Sequence, residues 1–415
     1  MKILYNHYHT DAQHPAVQMV EHISQGLRKS GHEVLIHDSA GLAKKNPDKS
    51  SGHVANRKSM LSGIKRCVWF AKAMARNRKW WARDLHAVQE FQPDVVLTRQ
   101  DAYCWSMAQA AVSTNTPLVT YADVPVAYES RLFNAEKRWH PFGLVERIEK
   151  WGLSHSLAAI TVSHPAQDRL RRYGLSVPIH VNHNGVDRQR FPNYSREERQ
   201  KLKQELGLAG KTVIGFQGTF KSFHGIDRLR DLMLWTQGRS DVAWLLIGDG
   251  PERESLQEAV SGKTTAVFLG RRKPEEMGTL LSAMDIAVAP HSQMAGDFYF
   301  CPLKLLEYAA SGCATIASQQ GDIPLLLAHG KGGEMVRDDD LDSWCQALKK
   351  LIDNEQYREQ MGATARNHIL SQLTWQDTAD RVEKILCQVL KIPLEESNDQ
   401  MSLLEKGSKQ ELVHV

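Results

Sequence analysis

FYFCPLKLLEYAASGCATIAS, running from Phe298 to Ser318, is the stretch on which the fold turns. Pro302 suits the first position of a helix, because its fixed φ fits the first turn and its missing N–H would be unpaired there anyway. Leu303 to Ala310 then places apolar residues at helical spacing, and Gly312 supplies the left-handed residue that ends such a helix. Ala314 to Ala317 reads as a short apolar strand. A helix N-terminus rich in free N–H groups, opening into a loop, attracts anions. Lys304 and Glu307 are three apart and share one helical face. A cation for phosphate beside a carboxylate for sugar hydroxyls points to a nucleotide-sugar pocket. An ordinary buried helix between two strands reads the same segment equally well.

Outward from this segment, short apolar runs alternate with longer amphipathic ones, as in parallel sheets with helical crossovers. Strands are expected near Lys2–Tyr5, Glu33–His37, Asp94–Thr98, Leu118–Tyr121, Ala158–Val162 and Ile179–Val181. A second set falls near Thr212–Phe216, Ala243–Ile247, Ala266–Leu269, Ile286–Ala289, Ala314–Ala317 and Glu334–Val336. Helices lie between them, such as Ala16–Lys29 ending at Gly31. The polar segment Asn184–Asn193, with Gly185 and Pro192, separates the two sets as a linker. The expectation is α/β, with two doubly wound Rossmann-like domains, 1–185 and 186–374, facing each other across a cleft. A helix is expected over 375–392, followed by a frayed tail, 393–415. Ligands of such sheets sit beyond the carboxyl ends of the strands.

Composition bounds the rest. The chain has 415 residues, too many for one comfortable core, with 42% hydrophobic and 24% charged residues, as in folded globular proteins. A formal net charge of +4 implies no general affinity for nucleic acid. Cys67, Cys104, Cys301, Cys313, Cys345 and Cys387 are scattered without a C-x-x-C pair, which disfavours zinc and fits reduced thiols. MKILYNHYHT passes straight into a strand, and no apolar run of about 18 residues follows. These features read as a cytoplasmic protein.

The chemistry gathers at the expected strand ends. After the Thr212–Phe216 strand come Gly218, Thr219, Lys221, His224 and Gly225; after Ala243–Ile247 come Gly248-Asp249-Gly250; then Arg271-Arg272, Pro290-His291 and the helix with Lys304 and Glu307. Glycines let backbone approach a ligand, and Lys221, Arg271, Arg272 and Lys304 bring positive charge. A departing nucleoside diphosphate needs its charge neutralised by a metal or by fixed cations and helix dipoles. No D-x-D pair sits at a strand end, so no metal or other cofactor is expected. Each glycine taken alone is an ordinary turn residue, Arg271 and Arg272 also read as a solvated pair, and His224 and His291 as capping or packing residues. Asp338-Asp339-Asp340 is read as the N-terminal cap of a helix starting at Leu341, not as a metal site.

Seven segments occur in one order: MKILYNHYHT with GHEV, HNGVDRQRF, GTFKSFHGIDRL, LLIGDGPERESL, VFLGRRKPEEM, DIAVAPH and CPLKLLEYAASG. That order resembles the GT-B glycosyltransferases of family 4 over nearly the whole chain. The resemblance implies a retaining enzyme that moves a hexose from a GDP- or UDP-sugar to a saccharide or lipid-linked acceptor, in surface polysaccharide or glycoconjugate synthesis. It assigns the acceptor to 1–185 and the nucleotide sugar to 186–374, and returns the 375–392 helix to the first domain. It assigns donor-ribose binding to Glu307 and a sugar-facing role to Asp123, and Lys221 joins these two as the catalytic set. His224, His291, Leu303 and the strand-end residues named above would line the donor, and His7, His9 and Asp123 the acceptor side. The chain departs from the family at Tyr299, where a glutamate often contacts the donor sugar. It departs again at Thr219 and His224, in place of arginine and lysine, and at Gln13-His14-Pro15-Ala16, in place of a glycine-rich loop. The first replacements resemble a branch reading G-S-F-x-x-W-H-G and S-P-L-K-L-F-E-Y, and move phosphate binding onto Lys221, His224, Arg272 and Lys304. An epimerase or hydrolase of the same fold, or a non-catalytic binding protein, is the alternative. A Rossmann dehydrogenase lacks support, since Asn6–Ala16 contains no glycine.

Between Arg57 and Arg83 there are nine basic residues and no acid. Lys58, Lys65, Lys72 and Lys79 recur every seven positions, while Leu61, Ile64, Val68, Ala71 and Ala75 form a second stripe. With Trp69, Trp80 and Trp81 at a headgroup boundary, the segment reads as a basic amphipathic helix on anionic lipid, making the protein peripheral at the inner face of a membrane. Packing of the apolar stripe on the sheet, with a solvated basic face, is the other reading. Nucleic acid is not an expected partner, because aromatics are not interleaved at strand positions.

Overall fold

The computed structural model describes residues 1–9, 11, 14–41, 62–133, 143–293, 296–337 and 340–393. Two six-stranded sheets are formed, parallel throughout. The first runs in the order β2-β1-β3-β4-β5-β6, with β1 Lys2–His7, β2 Glu33–Asp38, β3 Val95–Arg99, β4 Leu118–Tyr121, β5 Ala158–Thr161 and β6 Ile179–Val181. The second runs β12-β11-β10-β7-β8-β9, with β7 Thr212–Gly218, β8 Val242–Gly248, β9 Ala266–Gly270, β10 Ile286–Ala289, β11 Ala314–Ser318 and β12 Gly333–Val336. Helices cover both faces, so the central strands are continuously buried; Val95, Val96 and Leu97 have no exposed surface. Several strands run one or two residues past the apolar runs. β7 continues through Gln217 and Gly218 because these pair in register with Ile247 and Gly248.

The helix after the decisive loop spans Leu303–Ala310. Pro302 is its N-cap, with ψ at 103°, and not its first helical residue; the extended ψ turns the chain into the loop. Gly312 has φ +77°, as a left-handed terminator requires. Asp340 caps Leu341–Asp353 by accepting from the Ser343 N–H at 3.0 Å, while Asp338 and Asp339 lie outside the described residues.

From Ser62 on, the basic segment falls in the helix Ser62–Phe91. Its phase differs from the expected one. Ala71 and Ala75 are exposed, and the buried face is Ala73, Asn77, Trp80, Asp84 and Val88. Asn77 sets this phase by donating to the carbonyls of Ala73 and Tyr103, at 2.9 and 2.5 Å, and accepting from the Trp105 N–H at 3.1 Å. Trp80 packs on Tyr8, ring centroids 5.7 Å apart, and is therefore core, not a headgroup anchor. Lys72, Arg76, Arg78 and Lys79 point to solvent. Lys58 and Leu61, and the side chains of Ile64, Lys65, Val68 and Trp69, lie outside what is described.

The helix Trp375–Leu390 opens with a reciprocal Thr374/Asp377 cap and returns to the first domain. It lies against the first helix, Pro15–Lys29. A Cβ on Gly26 would stand 2.3 Å from Cβ of Ala379, so the absence of a side chain there lets the two helices touch. Trp375 stacks on His22 at 5.1 Å, and His32 pairs with Glu383 at 3.0 Å. The domains also meet directly. Ser163 donates to the Tyr299 carbonyl at 2.6 Å, Asn184 to the Cys301 carbonyl at 3.3 Å, and Arg169 pairs with Asp297 at 2.5 Å.

Candidate active site

Strand order in the second sheet reverses between β7 and β10, so the loops leaving these strands diverge and open a crevice at their carboxyl ends. Gly225 ties the two loops together. Its φ is +70°, and a Cβ there would fall 1.5 Å from the Pro290 carbonyl oxygen. His224 and His291 meet edge to face, centroids 5.9 Å apart. Thr219 Oγ1 lies 3.5 Å from His224 Nδ1. Lys304 reaches across from the helix start to lie 4.8 Å from the Phe216 ring centre. A side chain on Gly218 would crowd both the Lys304 ammonium and His224 Nδ1, each 3.3 Å from its Cβ position, and Gly248 pairs alongside.

The electrostatics of this group are those of an anion site. Lys304 Nζ is buried with no hydrogen-bond partner among the described residues, and His291 Nδ1 is likewise unpaired. Burial holds the Lys304 amine down at about 7. Burial, then the charges of Lys304 and Lys221, take His224 down to about 3, and His291 falls well below its ordinary value for the same first reason. Both rings are neutral at pH 7 and serve as hydrogen-bonding groups around one cation. One turn along, Glu307 accepts from Gln217 Nε2 and faces Arg190 at 3.9 Å. Burial pushes its carboxyl up, opposed by Arg190 and Gln217. Gln217 is itself held by its N–H donating to the Tyr308 hydroxyl at 2.6 Å. Leu303 lines a small cavity with Glu307 and Arg190.

Facing this group is the other switch point, between β1 and β3 of the first sheet. His7 is buried at the end of β1 with Nδ1 unpaired, and burial lowers its pKa. His9 stacks on His14 at 3.9 Å, lies 3.5 Å from Asp101, and is brought down to about 3 by burial and the His14 charge. Asp123, just past β4, forms an ion pair with Arg99 at the end of β3. Burial pushes the Asp123 carboxyl up, with Arg99 opposing. Tyr299 is fully buried, and its hydroxyl crosses the seam to Glu129 Oε1 at 3.2 Å.

The structure thus brings together Gly218, Thr219, His224, Gly248, His291, Lys304, Leu303 and Glu307 on one wall, and His7, His9 and Asp123 on the other. Lys221 stays exposed, 5.9 Å from the Phe223 ring. Arg271 and Arg272 are exposed after β9, the outer strand of its sheet, and Arg272 lies 3.9 Å from Glu276. Neither arginine joins the Lys304 group. Arg190, Gln217, Arg99 and Glu129 carried no role in the sequence reading. Arg190 stood inside the quoted HNGVDRQRF segment and Gln217 one residue before Gly218, whereas nothing in the sequence marked Arg99 or Glu129. One set of described residues has metal-ligand chemistry, His164, His183 and Asp322. Both rings already bond to Asp322 Oδ2, at 3.0 and 2.8 Å, which accepts from the His164 N–H as well.

Residues 16–190 match the family model described as Glycosyltransferase Family 4, and residues 211–354 that of Glycosyl transferases group 1. The chain belongs to the family 4, or group 1, glycosyltransferases. This glycosyltransferase is 26% identical over 308 residues to a GDP-mannose-dependent alpha-mannosyltransferase of Corynebacterium glutamicum, covering 73% of the chain and 67% of that relative. It is 28% identical over 243 residues to a D-inositol 3-phosphate glycosyltransferase of Corynebacterium jeikeium, covering 55% of the chain and only 56% of that relative. A sucrose-phosphate synthase from Thermosynechococcus elongatus superposes over 94% of the chain and all of its own, with a TM-score of 0.70 at 16% identity. The fold is GT-B, with two doubly wound domains facing each other across a cleft. No helix among the described residues is long and apolar enough to cross a membrane.

Proposed function

We propose that this glycosyltransferase transfers a hexose, with retention, from a nucleoside-diphosphate sugar to a saccharide or lipid-linked acceptor, and does so without a metal. One observation carries the reading: a buried, unpaired lysine amine at a switch point, flanked by neutral histidines, one helical turn from the Glu307 carboxylate. Lys304 answers the diphosphate charge, supported by the helix N-terminus, and Glu307 accepts hydrogen bonds from ribose hydroxyls. The donor base is guanine or uracil. The Corynebacterium glutamicum relative is named as GDP-mannose-dependent.

In this reading the bond from the anomeric carbon to the diphosphate oxygen breaks while the acceptor oxygen attacks on the same face. The acceptor proton passes to the departing phosphate oxygen, so no protein nucleophile is needed. Asp123 faces the sugar from the opposite wall, with His7 and His9 on the acceptor side. Lys72, Arg76 and Lys79 line an open cavity with Tyr8 and Trp80, a face suited to an anionic membrane surface carrying the acceptor and placing the protein at its cytoplasmic side. The test is incubation with GDP- and UDP-hexoses in the presence of a chelator, following slow donor hydrolysis. Turnover of one donor is expected to persist, and its loss on chelation would remove the metal-free reading.

A further inference from the structure

The first-domain wall of the cleft holds a charge arrangement that transfer chemistry alone does not require. Arg99 is buried, and a single nitrogen of its guanidinium meets Asp123. Its Nε and the other terminal nitrogen have no partner among the described residues, and neither has Asp123 Oδ1. Leaving such groups unpaired is costly, so the pair calls for a polar guest. The chemistry of the orphans selects its class. A bare anion would satisfy the guanidinium and repel the carboxylate, and a cation would do the reverse. A hydroxyl both donates and accepts, and neighbouring ring hydroxyls present these functions side by side.

Glu129 lies within reach of the same pair: burial raises its carboxyl, and the Asp123 charge raises it further. It comes from the helix Val126–Phe133 of the first domain, and one carboxylate oxygen accepts a hydrogen bond from the hydroxyl of Tyr299, in the loop that leads into the Lys304 helix. Tyr299 brings no charge of its own, and Glu129 puts a carboxylate beside it. We propose that Arg99, Asp123 and Glu129 together read the hydroxyls of a pyranose ring, Arg99 donating and the two carboxylates accepting. This rests on the nucleotide-sugar reading above and adds the residues that select the sugar. The ring held is that of the donor or of the acceptor, whose hydroxyl chemistry is the same.

Glu129→Gln keeps shape and removes charge; Arg99→Lys keeps charge and removes the fork. Both are to be compared with wild type by calorimetry against GDP, UDP, GDP-mannose and UDP-glucose. Saturation-transfer NMR with methyl α-D-mannopyranoside follows, on nucleotide-loaded protein. Nucleoside-diphosphate affinity is expected to stay within about twofold in both variants. A fall of about tenfold or more confined to the nucleotide sugar, the loss of one charged hydrogen bond, places the donor ring here. Unchanged donor affinity with loss of the glycoside signal places the acceptor ring here. If every probe binds both variants as it binds wild type and only the melting temperature moves, the three residues are interdomain packing and the inference fails. If wild type binds neither GDP nor UDP, the nucleotide-sugar reading itself falls and takes this inference with it.

Discussion

Lys304 sits between two charge states. Free lysine titrates near 10.4, and burial holds this one at about 7. Between those values the unfolded chain binds the extra proton, so this group makes stability rise with pH from about 7 towards 10. Ligand binding runs the other way, because a diphosphate favours the charged amine. GDP or UDP affinity is therefore expected to fall as pH rises through about 7, with proton uptake visible as a dependence of the calorimetric heat on buffer ionisation enthalpy. Lys304→Met is expected to abolish nucleotide binding without lowering the melting temperature at pH 7, since it deletes a desolvated, unpaired cation. Glu307→Gln is expected to weaken nucleotide binding by about ten- to a hundredfold, the range of a hydrogen bond to a charged group. Its thermal unfolding should match wild type. Equal nucleotide affinity in the two proteins would take Glu307 out of the site.

Among the elements, those buried on both faces were the most legible. β4 and β10 read from sequence with their observed bounds, because a strand covered on both sides must be a near-continuous apolar run. The pocket helix was legible through Lys304 and Glu307 on one face. The basic helix was not legible in phase. Its buried face contains Asn77 and Asp84, whose partners lie far along the chain in Tyr103, Trp105 and His37, so no local pattern announces them. The unmarked cleft residues were hidden for the same reason. Arg99 and Asp123 lie 24 positions apart, and Glu129 and Tyr299 lie 170 apart. The corrected phase leaves Lys72, Arg76 and Lys79 outward. Replacing all three by glutamate is expected to reduce binding to phosphatidylglycerol vesicles by about a hundredfold or more in sedimentation, from about 1 kcal/mol for each basic residue. Undiminished binding would assign membrane contact to another surface.

At the scale of the whole molecule, the two domains are joined by a polar seam as well as by the linker. Burial pushes the Asp322 carboxyl up, but the His183 hydrogen bond and the His164 N–H outweigh it and hold its pKa below the usual carboxylate value. A carboxylate so depressed contributes stability above its unfolded pKa, and that contribution is lost as pH falls through the folded one. Acidification below about pH 4 is therefore expected to loosen this seam, seen as a larger radius of gyration in small-angle scattering. Asp322→Asn should show the loosened dimensions already at neutral pH; identical scattering at both pH values and in both proteins would count against this clamp.

The helix Trp375–Leu390 lies on the first domain although the second is threaded between them. The amino-terminal lobe is thus not a contiguous stretch of polypeptide. During synthesis, the flank of Pro15–Lys29 around Gly26 has no cover until nearly four hundred residues have left the ribosome. A gene cut at the linker would deliver a lobe missing its last structural member, and that lobe would need the 375–390 peptide supplied separately to close.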